Sequence, residues 1–236
     1  MFRFKQFSIQ QDQCAMKVCT DACLFGAWVA AWASGEEKKI NRILDIGTGT
    51  GLLSLMLAQK INAVIDTVEI NRNAALQAKE NIAATEWKEQ IRVFETAVQD
   101  FSPAQKYNLI ISNPPFFKND LHSPAEDKNT AKHSSSLSFN ELFEAIRNHI
   151  SENGFAAILL PYHRKDEATV IAAKYGLHLL KEFSVKQGIH HNHFRTMLLF
   201  GDQPGILQLG EITIRGENSD YTESFKDLLK DYYLYL

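Results

Sequence analysis

Asn113-Pro114-Pro115-Phe116 directly follows the apolar run Tyr107-Asn108-Leu109-Ile110-Ile111-Ser112, which sets an amide side chain on a proline-stiffened turn beside an aromatic ring. Few chemistries need that combination. One is methyl transfer to a planar exocyclic NH2, whose lone pair is delocalised and whose hydrogens must be drawn out of the plane by two fixed acceptors. The Asn113 side-chain oxygen and the Pro114 carbonyl would be those acceptors, since successive prolines lock φ and restrict the residue before each, holding the carbonyl outward. Phe116 could then stack on a planar substrate. The candidate catalytic residues are therefore Asn113, Pro114, Pro115 and Phe116. The same string also serves as a stiff turn after a buried strand, and only its context separates the two readings.

Upstream, Arg42-Ile43-Leu44-Asp45-Ile46 reads as a short buried strand running into Gly47-Thr48-Gly49-Thr50-Gly51 and then a helical stretch from Leu52 to Lys60. Glycines at such a turn let a ligand reach the backbone and the helix N-terminus, where free N–H groups point outward. The spacing, Asp-x-Gly-x-Gly-x-Gly with no lysine, fits neither a dinucleotide loop nor a phosphate-binding loop. A second apolar run, Ala63 to Val68, ends in Glu69 some ~20 residues past the loop, where an acid grips ribose hydroxyls in nucleoside-binding α/β folds. Glu69 also suits the N-terminus of a helix over Asn71 to Thr85, and one carboxylate can serve both ends. A third strand, Ile91 to Phe94, precedes Ala97-Val98-Gln99-Asp100-Phe101, so Asp100 is either an acceptor for an adenine amino group or a turn aspartate before Ser102-Pro103.

In this order, Asp45 to Gly51, Glu69, Asp100 and Asn113 to Phe116 resemble the N-methylating, Asn-Pro-Pro-aromatic branch of the class I S-adenosylmethionine-dependent methyltransferases over roughly residues 40 to 200. The N-terminal segment Phe4-Lys5-Gln6-Phe7 and Gln13 to Trp28, with Tyr221-Thr222 and Asp231-Tyr232-Tyr233-Leu234 near the C-terminus, is similar to the bacterial tRNA-valine (adenine-N6) methyltransferase family. That resemblance implies an α/β, Rossmann-like fold: a mostly parallel seven-stranded sheet, a C-terminal antiparallel hairpin, and helices on both faces. It implies S-adenosyl-L-methionine as cofactor, held by Thr20, Asp21, Asp45, Gly47, Thr48, Gly49, Gly51, Glu69, Ile70, Asp100, Phe101 and Asn113. The implied target is the adenine immediately 3′ of the anticodon of a valine tRNA. Cys19 and Ala22 stand where the family's pattern leads one to expect glycine, so the turn entering the first helix departs from it.

With 236 residues and 45% hydrophobic content, the chain can bury one substantial core, and a single domain is expected: a cofactor-covering segment and helix over 1–40, a core over 41–200, and a C-terminal extension over 201–236. The chain lacks any run of about 18 apolar residues and a secretory layout at its start, which points to the cytoplasm and away from membranes. Cys14, Cys19 and Cys23 are an odd set crowded into one segment; their gaps differ from those of iron–sulfur radical enzymes, and buried thiols are the reading they support. Beyond the glycine loop, helices are expected over Asn71 to Thr85 and Ser138 to Ser151, a strand over Gly154 to Leu160, and a helix from near Arg164. Leu177 to Val185 and Phe194 to Phe200 would form the antiparallel pair, and the tail adds a possible strand over Leu207 to Ile214 and a helix over Tyr221 to Tyr233.

The stretch from Phe117 to Ser136 has the length of a functional or disordered loop, and a lid that orders on RNA is one role for it. His190-His191-Asn192-His193, beside Lys186 and Arg195, suits a surface or RNA-facing hairpin tip better than a metal site, because no cysteine or carboxylate sits nearby in sequence and the proposed chemistry requires no metal. Candidate contacts to nucleic acid are Lys118, Lys132, His133, Arg164, Lys186, His191 and Arg195. The formal net charge of -3 opposes a polyanionic substrate, but only as a global sum, and positive groups could still gather around one mouth. Rival readings are methylation of a protein glutamine amide, methylation of guanine N2 in ribosomal RNA, and a non-catalytic module that senses the cofactor and binds RNA; no obligate protein partner is evident. If Phe116 is a stacking platform, Phe116→Ala loses about 1 to 3 kcal/mol of RNA engagement in a tRNA titration while Phe116→Tyr stays active. Equal behaviour of the two variants would remove the platform.

Overall fold

The structure is a computed structural model that describes residues 1–14, 16–35, 40–114 and 137–236. The chain starts with two short strands, β1 (Phe2–Arg3) and β2 (Ser8–Ile9), paired antiparallel. Helix α1 (Thr20–Gly35) follows, with Cys23, Leu24 and Phe25 as well as Ala27, Trp28 and Val29 buried. Such a helix has no polar stripe because it is enclosed on several sides. Strand β3 (Arg42–Ile46) leads through the glycine loop into α2 (Leu52–Ala58), and β4 (Val64–Glu69) leads into α3 (Arg72–Ala83). Asn71 caps α3, its side chain accepting from the Ala74 N–H.

Strands β5 (Ile91–Glu95) and β6 (Tyr107–Ser112) precede α4 (Phe139–His149), which opens on a capping box between Ser138 and Glu141. Then come β7 (Ile150–Pro161), α5 (Lys165–Lys174), β8 (His178–Gly188), β9 (His193–Gly201), β10 (Gln208–Arg215) and α6 (Glu223–Leu229). The last helix is shorter than the expected Tyr221 to Tyr233: Thr222 caps it by accepting from the Phe225 N–H, and beyond Leu229 the chain turns Tyr232 inward so that its hydroxyl donates to the Met56 carbonyl at 3.0 Å. The Lys5 N–H in turn donates to the Tyr232 carbonyl at 2.8 Å, tying the two ends of the chain together.

The large sheet has the order β10-β8-β9-β7-β6-β3-β4-β5. Strand β9 runs antiparallel to both β7 and β8, and every other pairing in this sheet is parallel. The sheet therefore has eight strands where seven were expected. The tail supplies the extra one, because Ile212 and Ile214 alternate along β10 and bury one face of it beside β8. Side chains alternate across the sheet in the same way: Ile43, Leu109, Ile111 and Leu199 join α1, α2 and α6 in one apolar cluster, and Leu44, Ile110, Ile158 and Phe200 join α4 and α5 in another.

The chain crosses from β5 back over β3 to reach β6, so β3 lies between β4 and β6 and a crevice opens at the carboxyl ends of β3 and β6. Asp45, near that end of β3, is fully buried, and its Oδ2 accepts from the hydroxyls of Thr48 and Ser54, each at 2.7 Å. One carboxylate thus joins the strand, the loop and the helix that follows. Burial pushes its pKa up to about 6, against the two hydroxyls and with help from the negative charge of Glu69. A carboxyl whose folded pKa lies above its unfolded value of about 3.9 binds its proton more tightly when folded, so its contribution is complete below about pH 4 and is lost as pH rises through about 6. Denaturant unfolding of the cofactor-free protein should therefore show Asp45→Asn gaining on the wild type by up to about 3 kcal/mol between about pH 4 and about pH 7. A difference that does not vary with pH would show that Asp45 carries no such penalty.

Candidate active site

Three glycines shape the loop above Asp45: Gly47 at φ 74°, Gly49 at φ 57° and Gly51 at φ 83° lie in the left-handed region that β-carbons disfavour. They divide the work. A β-carbon at Gly47 or Gly49 would meet nothing within 4 Å, whereas one at Gly51 would lie 3.6 Å from the Ala78 side chain. The first two leave open space for a ligand, and the third lets the loop pack on α3. The Gly47 N–H donates to the Val68 carbonyl at 2.9 Å, anchoring the loop to β4.

Glu69, at the end of β4, closes the loop from the other side. One of its carboxylate oxygens accepts from the Gly49 N–H and the other from the Asn71 N–H, each at 2.9 Å. Each oxygen retains a lone pair for a hydroxyl donor. Both sequence readings of Glu69 thus have a basis here: it lines the crevice, and it holds the backbone at the entrance to α3.

At the end of β6, Ser112 donates to the Ile46 carbonyl at 2.9 Å and pins the strand end beside β3. Asn113 and Pro114 follow into the wall of the same crevice. The Asn113 Oδ1 is buried with no hydrogen-bond partner among the described residues, and its Nδ2 rests 3.6 Å from the Met16 sulfur. An orphaned buried acceptor costs free energy until a donor arrives, so it marks a place where a ligand N–H belongs.

The crevice is a cavity of about 380 Å³. Its walls include Gly47, Thr48 and Gly49 from the loop, and Glu69 and Ile70 from the end of β4. Sequence reasoning did not assign Cys14, Met16, Lys17 and Val18 as lining residues, nor Gln99 and Glu141; all six line the cavity. Ser138 holds the Glu141 carboxyl below the usual carboxylate range through its hydroxyl and N–H, and the Gln99 amide adds to this. The acidic residue that the sequence suggested at this end of β5, Asp100, is exposed and lies outside the lining, and its neighbour Gln99 takes the place at the wall. Phe101 packs against the rings of Phe94 and His149 instead. Asp45 lies beneath the loop, Gly51 ends it at the start of α2, Thr20 and Asp21 sit in the first turn of α1, and none of these four lines the cavity. Asp21 receives the Arg195 guanidinium at 2.6 Å; burial works against its charge, but the bonds from Cys19 and Arg195 keep its pKa low, while burial pushes the Cys19 thiol up to about 12.

Of the residues suggested for nucleic acid, Arg164 follows β7 directly, Lys186 lies near the end of β8, and His191 sits in the turn from β8 to β9. Arg195 pairs in register with Pro161. Since β7 runs parallel to β6, these groups gather on the sheet edge that carries Asn113. Each cation has an acidic neighbour: Arg164 pairs with Glu167, Lys186 with Glu211, and Arg195 with Asp21. Tyr162 and His193, with ring centroids 4.7 Å apart, add an aromatic pair there that the sequence did not suggest. Pro115, Phe116, Lys118, Lys132 and His133 lie outside the described residues. Among the described residues, no group of three or more His, Cys, Asp or Glu side chains could hold a metal ion, and no helix is long and apolar enough to cross a membrane.

Known proteins resemble the chain in sequence and in fold. The methyltransferase small domain family matches residues 34–167. A tRNA1(Val) (adenine(37)-N6)-methyltransferase of Dyadobacter fermentans is 40% identical, covering 99% of this chain and 97% of the relative. One of the same name from Haemophilus influenzae strain PittEE is 38% identical, covering 99% of this chain and 98% of the relative. Among solved structures, a predicted O-methyltransferase from Agrobacterium tumefaciens superposes with a TM-score of 0.68 at 15% identity, covering 89% of this chain and 96% of that one. A methyltransferase from Pyrococcus furiosus does so with a TM-score of 0.53 at 19% identity, covering 74% and 82%. These two likenesses concern the fold alone. The full-length identity concerns the family: the chain is a methyltransferase with a class I fold and belongs to the tRNA1(Val) (adenine(37)-N6)-methyltransferase family.

Proposed function

We propose that the protein transfers a methyl group from S-adenosyl-L-methionine to the N6 of an adenine in tRNA, the adenine 3′ of the anticodon of a valine tRNA, working in the cytoplasm. The observation that carries this reading is the unpartnered Asn113 Oδ1, buried in the wall of a cavity whose floor is a glycine loop closed by Glu69. The residues fit the cofactor: Gly47 and Gly49 leave room at the loop, and Glu69 keeps lone pairs for ribose hydroxyls. The cofactor supplies an activated methyl group on a positively charged sulfur.

The chain supplies position and polarity. Asn113 Oδ1 accepts one N–H of the exocyclic amine and the Pro114 carbonyl the other, which holds the nitrogen lone pair toward the methyl donor. No basic side chain is needed at attack, since fixed dipoles meet the change in charge as it develops. An anticodon loop suits such a site, because its bases are unpaired or easily splayed and extrusion costs little. The basic groups beside β7 and β8 give the loop's phosphates a place to lie. Their present acidic partners are exchanged for phosphate, which makes binding sensitive to salt.

Two substitutions separate binding from chemistry. Asn113→Ala should lower turnover by about two orders of magnitude with cofactor affinity nearly unchanged, as for a contact made in the transition state, whereas Glu69→Ala should weaken cofactor binding by roughly 1.5 to 3 kcal/mol. Calorimetry and single-turnover rates measure the two quantities, and equal losses of cofactor affinity in both variants would refute the division. The substrate is tested by incubating the protein with unmodified valine tRNA and labelled cofactor and digesting the tRNA to nucleosides. N6-methyladenosine in the anticodon-loop fragment is the expected product; label found only in glutamine side chains of an added protein extract would overturn the RNA assignment.

A further inference from the structure

Helix α3 carries two buried amides, Gln77 and Asn81, each 2% exposed, among otherwise apolar neighbours on its inner face. Four residues apart, they project from the same side of the helix. Burying amides is costly unless their hydrogen bonds are made, so their partners indicate what they are for. Asn81 makes three such bonds. Its Oδ1 accepts from the Gln10 N–H at 2.8 Å, and its Nδ2 donates to the Gln10 carbonyl at 2.8 Å and to the Thr50 carbonyl at 2.9 Å. One carboxamide thus grips the backbone of Gln10 from both sides, as a strand partner would, and joins it to the glycine loop. One turn earlier, Gln77 Oε1 accepts from the Gln13 N–H in a longer bond of 3.4 Å, and its Nε2 donates to Glu80 at 2.9 Å.

The segment so held continues into the site. Gln11 Oε1 accepts from the Val18 N–H at 2.8 Å, closing the segment into a loop, and Cys14, Met16, Lys17 and Val18 line the cavity. The Met16 sulfur touches the Asn113 amide. We infer that Asn81 and Gln77 are positioning residues, which hold the N-terminal segment over the cavity as a strap that must lift before the cofactor leaves. The inference rests on the cavity being the cofactor's site. Because Asn81 bonds to the strap and to the Thr50 carbonyl within the glycine loop, loosening it frees the cover and the floor together.

The test is S-adenosylmethionine binding by calorimetry and stopped flow, with steady-state KM values for cofactor and tRNA. Asn81→Ala should raise the cofactor dissociation constant and dissociation rate by about tenfold while the KM for tRNA changes by less than about twofold. Gln11→Ala, which leaves α3 intact, should raise the dissociation constant by roughly threefold with the melting temperature of the ligand-free protein unchanged, and Gln11→Glu, which keeps an oxygen for the Val18 N–H, should restore it. If Asn81→Ala does not fold, the two Gln11 variants decide the matter. Unchanged cofactor dissociation in Gln11→Ala, or equal increases in both KM values for Asn81→Ala, would overturn the strap. A wild type that binds no S-adenosylmethionine would instead overturn the cofactor reading beneath it.

Discussion

A carboxylate removed from water at the end of a central strand organises this molecule. Asp45 is removed from solvent with no cation among the described residues to balance it, and the hydroxyls of Thr48 and Ser54, with the Ser54 backbone, meet its charge. Those two bonds fix the glycine loop between the strand before it and the helix after it. From that position follow the open space at Gly47 and Gly49, the reach of Glu69 to the Gly49 N–H, and the packing of Gly51 on α3. The uncompensated charge costs stability at neutral pH, a cost that the apolar layers on both sides of the sheet outweigh.

A second buried acid sits within the sheet and is balanced differently. Asp66 on β4 accepts from Arg42, Arg92 and the Tyr107 hydroxyl, so that β3, β4, β5 and β6 share one network. Its Oδ1 accepts from Arg92 and its Oδ2 from Arg42, Arg92 and Tyr107, and it is buried away from the lining of the cavity. Asp45 keeps one oxygen, Oδ1, without a partner directly beneath the loop. The contrast separates a carboxylate that joins strands from one that shapes a site.

Pairing bears on the charge objection to the proposed RNA substrate. A net charge of -3 describes the whole chain, while Arg164, Lys186 and Arg195 collect at the sheet edge that carries Asn113, each matched by an acid. Matched in this way, the cations do not repel one another in the free protein. Most of these pairs are partly exposed, so each is worth little in water and exchange with a phosphate is inexpensive.

Much of the architecture was legible in the residues. The strands over Arg42 to Ile46 and Tyr107 to Ser112 appear with the bounds their apolar runs implied, and the glycine spacing located the loop, because local periodicity and turn chemistry depend on near neighbours in the chain. That Glu69 and Asn113 would line one crevice was legible for the same reason: each lies at the end of a strand, and strand ends converge at one edge of an open α/β sheet. What the residues could not decide were contacts between distant segments. Nothing local tells Gln99 from Asp100, since a turn of the backbone selects which of two adjacent polar side chains meets the cavity. The place of β10 beside β8, the capture of Arg195 by Asp21, and the grip of Asn81 on Gln10, 71 residues away, arise only when the sheet closes. The sequence determined the fold class, the loop and the strand ends that carry Glu69 and Asn113, whereas the tertiary structure decided which polar groups are spent on holding the chain and which face the cavity. The reason is physical: a side chain's chemistry belongs to its type, but its burial and its hydrogen-bond partners belong to the packed chain.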